Sequence, residues 1–231
     1  MLAPVLEKLD QDLEAYSAVI YGSVARDEFV AGVSDINLLL LCDRLDGDRL
    51  RRLGPALDGW RRQGQPPPLL FPPDEWACAA DVFPIEIVDM QFAHEVVRGA
   101  DPLAGLRVAK GDLRRALEYE LRGKLLRLRQ AYVLHRTEPR VLEEVVARSL
   151  SSMVTLLRAV LALEDHPAPR ESPAAIAAAG RLIGADSGPV IRLWEQRRRQ
   201  AAECPPELFE GYLAAIRAAI RRVDQFTGGE T

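Results

Sequence analysis

Ala18-Val19-Ile20-Tyr21-Gly22-Ser23 and, eleven residues after that serine, Ser34-Asp35-Ile36-Asn37-Leu38-Leu39 are the stretches on which the fold turns. The first is an apolar, β-branched and aromatic run that ends on glycine, where a sharp turn and a close backbone approach are cheap. The second opens a new apolar run with polar groups at alternate positions. Strand alternation puts Asp35 and Asn37 on one face and Ile36, Leu38 and Leu40 on the other. If Ser23 to Glu28 is helical, its N–H groups and the Ser23 hydroxyl form an anion cradle, with Arg26 one turn along as a charged partner. A phosphate site is thus expected beside a metal-binding pair.

A third oxygen ligand is sought on another strand. Phe83-Pro84-Ile85-Glu86-Ile87-Val88-Asp89-Met90 reads as a strand carrying an acid between isoleucines, so Glu86 is the candidate, and Asp89 has the opposite parity. Magnesium takes hard oxygen ligands and commonly joins one or two carboxylates to substrate phosphates, for which Asp35 and Glu86 suffice. Taken singly, each residue has a plainer reading. Ser23 serves as a helix cap, Ser34-Asp35 as a turn, and Glu86 as an edge-strand charge against aggregation.

Taken together and in order, these residues resemble the nucleotidyltransferase superfamily, whose pattern is Gly-Ser, a spacer, Asp-x-Asp or Asp-x-Glu, and a third acid on a later strand. Within it the chain looks most similar to bacterial aminoglycoside adenylyltransferase-like proteins with a helical C-terminal domain. Gly22, Ser23, Asp35 and Glu86 match the pattern, and Asn37 stands where it has a carboxylate. The resemblance implies an α+β chain: a nucleotidyltransferase-like mixed β-sheet domain over residues 1–100, then an all-α helical bundle over 101–231. It implies Mg2+ or Mn2+ on Asp35, Glu86 and Asn37, and ATP as substrate, its triphosphate held by Gly22, Ser23 and Arg26. AMP would pass to a hydroxyl of a small molecule or protein, with Asp35, Glu86 and Asn37 as the catalytic set. The alternative it leaves is a catalytically degenerate, nucleotide-responsive or partner-binding module, because Asn37 keeps a carbonyl oxygen but loses the charge.

Composition fits that division. Residues 1–100 carry 9 Lys and Arg against 17 Asp and Glu, and the remaining residues carry 21 against 17. An acidic half suits metal binding, and a mildly basic one suits an anionic ligand or acidic partner; nucleic acid is not the expected partner. Three widely spaced cysteines, Cys42, Cys78 and Cys204, give no disulfide framework or zinc pattern. His94-Glu95-Val96-Val97-Arg98 begins like a zinc-protease motif but has Arg98 in place of the second histidine. Met1 to Glu14, with Leu2, Leu6, Leu9 and Leu13, reads as an amphipathic helix rather than a signal peptide. No membrane-spanning segment is expected, and the expected compartment is the cytoplasm.

The period then changes. Asp46 to Gln63 reads as a helix broken or kinked at Gly54-Pro55, and Gln65 to Pro73 as a proline-rich segment with room for a short edge strand. Gly99-Ala100-Asp101-Pro102 is the expected domain boundary. Beyond it Leu113, Leu117, Leu121, Leu125 and Leu128 form one helical stripe, and Leu142, Val146, Leu150, Met153 and Leu157 another. Segments near 174–183 and 189–201 precede a last helix carrying Leu208, Tyr212, Ile216, Ile220 and Val223.

Overall fold

The structure, a computed structural model, describes residues 2–199 and 204–228. It is mixed α and β, with a small four-stranded sheet and many helices, and the chain parts into two compact units. The first comprises Met1–Ala80 with Met90–Arg107, and the second Asp81–Asp89 with Val108–Thr231. The crossover lies at Arg107–Val108, beyond the Gly99–Pro102 turn, and a segment from the eighties belongs to the helical unit.

In the first unit, strands β1 (Tyr16–Tyr21), β2 (Asn37–Cys42), β3 (Leu69–Phe71) and β4 (His94–Arg98) lie in the order β3-β2-β1-β4. β1 is antiparallel to both β2 and β4, while β2 and β3 are parallel. The proline-rich 65–73 segment thus supplies a three-residue edge strand, as its composition required. Helices α1 (Ala3–Asp12) and α2 (Gly47–Arg62) cover one face. Leu6, Leu9, Leu53 and Trp60 pack there against Ala18, Ile20, Ile36, Leu38 and Leu40. Burying such side chains contributes about 1.5–3 kcal/mol each.

α2 starts where Asp46 accepts the Arg49 N–H at 2.8 Å, a cap worth about 1 kcal/mol. It does not break at Gly54-Pro55. Pro55 lies inside the helix, and the lost backbone bond is offset by burial of Leu53, Ala56 and Trp60 on the same side. The opposite sheet face carries Val19 and Leu39, both fully buried. Near β2, α3 (Pro73–Ala77) supplies Trp76, whose indole N–H donates to the Pro102 carbonyl at 2.9 Å.

The second unit begins with most of α4 (Pro84–Phe92) and continues with α5 (Lys110–His135), α6 (Pro139–Leu163), α7 (Ser172–Ile183), α8 (Gly188–Arg198) and α9 (Pro206–Asp224). The stripes read from sequence meet in one core of Leu117, Leu121, Leu128, Val146, Leu150, Met153, Leu157, Tyr212, Ile216 and Val223. α5 and α6 run antiparallel: beyond the short 136–138 connection, Lys124 of α5 donates to the Ser149 carbonyl at 3.1 Å and Ser152 Oγ at 2.7 Å. α9 returns along α5, with Tyr132 stacked on Phe209 at one end and Arg122 paired with Asp224 at the other.

α6 corrects one expectation. It is 25 residues long and holds an 18-residue stretch of mean hydropathy 1.5, long and apolar enough to cross a membrane by length and composition, and 56% of that stretch is buried inside the protein. Its apolar character is that of a helix surrounded by others, with Met153 and Val160 fully buried.

Candidate functional site

The Gly-Ser turn and the Asp35–Asn37 segment meet because β1 and β2 are antiparallel neighbours. Tyr21 is register partner to Asn37, so the end of one strand lies beside the start of the other. Gly22 follows with φ +79, a left-handed conformation that glycine alone adopts freely. Its missing side chain also makes room: a Cβ there would lie 2.5 Å from Asn37 Nδ2. Asn37 is thereby seated against the Gly22 backbone. Ile36 is buried among α1 and α2, while Asp35 before it is exposed. The Ile36 N–H donates to Gln65 Oε1 at 2.8 Å, and Ser34 Oγ accepts from the Val30 N–H at 3.1 Å. Asp35 is thus held between two anchored residues at the lip of β2.

Ser23 to Glu28 is not a helix. The segment is a run of turns in which Arg26 N–H bonds to the Gly22 carbonyl at 3.2 Å and Glu28 N–H to the Ser23 carbonyl at 2.9 Å. Asp27 takes φ +61, which ends any right-handed winding after one turn. An anion here would meet a turn and a serine hydroxyl rather than a helix dipole. Arg26 pairs with Glu28 at 3.8 Å, both side chains nearly buried, so it reaches a phosphate only in competition with that carboxylate.

Glu86 does not lie on a strand. Residues 84–92 form α4, which opens with the Ile87 N–H bonded to the Phe83 carbonyl, and Glu86 sits in its first turn. Glu86 and Asp89 are therefore three apart on a helix, near one face, and the strand-parity argument that separated them does not apply. Lost hydration raises the Glu86 carboxyl above its usual range, its own backbone N–H opposes this, and the Glu120 and Asp89 carboxylates raise it further. A raised pKa means that the proton competes more strongly with a cation for this carboxyl, although the side chain itself is exposed. Glu86 also belongs to the second unit, whereas Asp35 and Asn37 belong to the first. Among the described residues no three His, Cys, Asp or Glu side chains form a metal-binding group.

Two residues at this end of the sheet escaped the sequence reading. Tyr21 pairs with Asn37 on one side and with His94 of β4 on the other, so Asn37, Tyr21 and His94 form one row across three strands on one face. His94 Nδ1–H donates to the Met90 carbonyl at 2.8 Å, and Nε2 lies 3.3 Å from Asp101 Oδ2. Its sequence signal is a histidine opening an apolar run with an acid seven residues on, which the zinc-protease spacing does not register. Arg98, the mismatch in that motif, pairs with Asp10 at 3.2 Å at the other end of the sheet. There Asp10 also accepts from the Tyr16 hydroxyl at 2.5 Å, beside an open cavity of about 730 Å³.

No protein-family model and no curated protein matches this chain.

Proposed function

We propose that the chain is a nucleotidyltransferase-fold protein that binds a magnesium-chelated nucleoside triphosphate, ATP in the first instance, at the Gly22–Asn37 end of its sheet. It acts as a nucleotide-responsive or partner-binding module in which AMP transfer to a hydroxyl is weak or lost. The observation that carries this reading is the seating of Asn37 against Gly22. It supports the reading in that the turn and the acidic segment lie side by side, with a neutral amide at the position nearest the turn.

In this reading the site takes one cation rather than two. Asp35 supplies a carboxylate, and Asn37 and Ser23 supply neutral oxygens, a set suited to a magnesium ion whose remaining ligands are phosphates and water. A bound divalent cation neutralises phosphate charge and, in pairs, supports in-line transfer. For a second cation the replacement of Asp by Asn is costly. A unit charge pair at about 4 Å is worth roughly 4 kcal/mol at an effective dielectric near 20, and the cation is doubly charged. Glu86 does not make up the deficit in this reading, since it stands on a helix of the second unit. In this reading Gly22 lets the backbone approach the triphosphate, the Ser23 hydroxyl donates to it, and Asp35 orients its metal.

Calorimetric titration of the full chain with ATP tests it. Binding is expected with Mg2+ or Mn2+, and Ser23→Ala and Asp35→Asn are each expected to weaken it about tenfold, the loss of one charge-assisted contact. No binding at millimolar ATP with manganese would overturn the nucleotide reading. Robust transfer of radiolabelled AMP by the wild-type chain would overturn the loss of catalysis and restore the transferase reading.

A further inference from the structure

We infer that α5 carries a docking surface for an acidic amphipathic helix of a partner protein, on the face it turns away from its own bundle. Tyr119, Leu126 and Val133 recur every seven residues along this helix, at 77%, 55% and 65% exposure, and Leu134 beside them is 69% exposed. Seven residues are close to two turns, so the three lie in one row about 20 Å long. Scattered exposed hydrophobics are ordinary; here three stand in register on one side of one helix, about 10 Å apart, with Arg122, Gly123, Arg129 and Gln130 between them.

A second row runs beside it. Arg115, Arg122, Arg129 and Arg136 share the same seven-residue interval, four residues before or three after each apolar one. On the other flank stand the small or polar Ala116, Gly123 and Gln130, and a Cβ at Gly123 would meet only the Arg127 head group. The surface therefore has a row of apolar side chains, with small and polar residues and the Arg127 head group over Gly123 on one side and a line of guanidinium groups on the other. Arg115 pairs with Asp112, and Arg122 with Glu118 and Asp224. Toward the end of the helix the compensation stops: Arg136 donates to the Val133 carbonyl, and Arg129 has no ion pair among the described residues.

That charge pattern selects the occupant. A second copy of this chain, laid α5 against α5 with a two-fold axis across the helices, would face the arginine row with itself. With the axis along the helices, the row would face Ala116, Gly123 and Gln130. Neither arrangement sets an acidic row against Arg129 and Arg136, the two arginines of the row with no carboxylate partner among the described residues. A helix with apolar residues every seven positions, flanked on one side by Asp or Glu, satisfies both rows at once. Arginine and tyrosine bordering leucine are also the residues from which such interfaces draw most of their affinity.

The test uses the full chain and a fluorescein-labelled helical peptide about three heptads long, with leucine at seven-residue intervals flanked by glutamate. A second peptide replaces each glutamate with lysine. The acidic peptide is expected to bind and the basic one is not. Leu126→Glu and Arg129→Glu are each expected to weaken binding at least about tenfold while leaving the circular dichroism spectrum unchanged, since both side chains are exposed. Arg129→Glu is further expected to raise affinity for the basic peptide. Equal binding of both peptides, or of neither, would overturn the proposal. So would a dimer seen by sedimentation that Leu126→Glu dissociates, which would make the occupant a second copy. Binding of anionic vesicles or RNA in preference to the acidic peptide would overturn it as well.

Discussion

The Lys124 ammonium, on α5, donates to Ser152 Oγ at 2.7 Å and to the Ser149 carbonyl, and thereby joins α5 to α6 with a charge that has almost no access to water. Ser149 Oγ is in turn 2.8 Å from the Tyr212 hydroxyl of α9. Three helices therefore share one polar chain in an otherwise apolar core. Neither hydrogen-bond partner of Lys124 is anionic, and its pKa falls from 10.5 to about 8: burial is the main cause, the nearby Arg127 acts in the same direction and Glu120 opposes.

The part of the stability that depends on Lys124 is expected to rise with pH between about 8 and 10.5. The Cys204 thiol and the Tyr16 and Tyr212 hydroxyls, which burial pushes up, give an opposite slope, so the Lys124 part is read as the difference between wild type and a variant at position 124. In that window the unfolded chain still holds the Lys124 proton and the folded chain has released it, so the unfolded state binds more protons and the slope is positive. The contribution is fully present above pH 10.5 and is lost as pH falls through 8, with a maximum slope of about 1.4 kcal/mol per unit. Lys124→Met, similar in length and uncharged, is expected to remove that slope and to unfold at higher urea near neutral pH. Urea unfolding at pH 7, 8, 9 and 10 on both chains measures this. An unchanged slope in the variant would show that Lys124 does not carry it.

Gly22→Ala is expected to destabilise the first unit by about 2 kcal/mol. The left-handed backbone costs an L-residue roughly 1–2 kcal/mol, and the new methyl group meets the Asn37 amide. Asn37→Ala in the same chain removes the clash and leaves the backbone strain. The double variant is then expected to be less destabilised than the two single effects added, with a coupling of at least about 0.5 kcal/mol. Thermal unfolding of the four chains gives that number, and strict additivity would mean that Asn37 moves aside freely.

The helical unit was legible because its stripes are long. Five or more apolar residues at intervals of three and four define a face whatever the propensities, and α5, α6 and α9 formed where that periodicity runs. The first unit was legible for a different reason: only glycine suits φ +79 at the end of β1. What was misread is short and apolar. Phe83 to Met90 alternates closely enough to pass for a strand, and Pro84 was the overlooked signal, since proline is at home in the first turn of a helix and costly within a sheet. Ile85 and Val88, three apart, then pack into the helical core, so tertiary burial decided a segment whose β-branched residues favour the other state. Ser23 to Glu28 failed as a helix because of Asp27, one of the few residues besides glycine that accept a left-handed turn.

Glu86→Gln is expected to leave nucleotide and metal binding unchanged and to raise the unfolding midpoint slightly at neutral pH. The folded state raises this carboxyl's pKa, so its contribution is present below the unfolded value and is lost as pH rises through the folded one. Glutamine removes that penalty and keeps the shape. A manganese titration beside a thermal melt checks both halves. Loss of metal binding in the variant would return Glu86 to the ligand set.

Asn37→Asp is expected to tighten metal binding, because it returns a carboxylate of nearly the same shape to the position seated against Gly22. In the metal-free protein the new charge stands two residues from Asp35 on the same edge, so repulsion should lower the melting temperature relative to wild type. Saturating manganese should reverse the order. Ligand at about a hundred times its Kd stabilises by roughly 2.7 kcal/mol. For a chain of this size that is worth about 2–4 °C per kcal/mol. Thermal melts of both chains with and without manganese test this, beside an assay for labelled AMP transfer. An equal manganese shift in the two chains would mean that position 37 does not face the metal. A wild type that transfers AMP as fast as the variant would mean that the asparagine already suffices, and the reading of a degenerate module would fall.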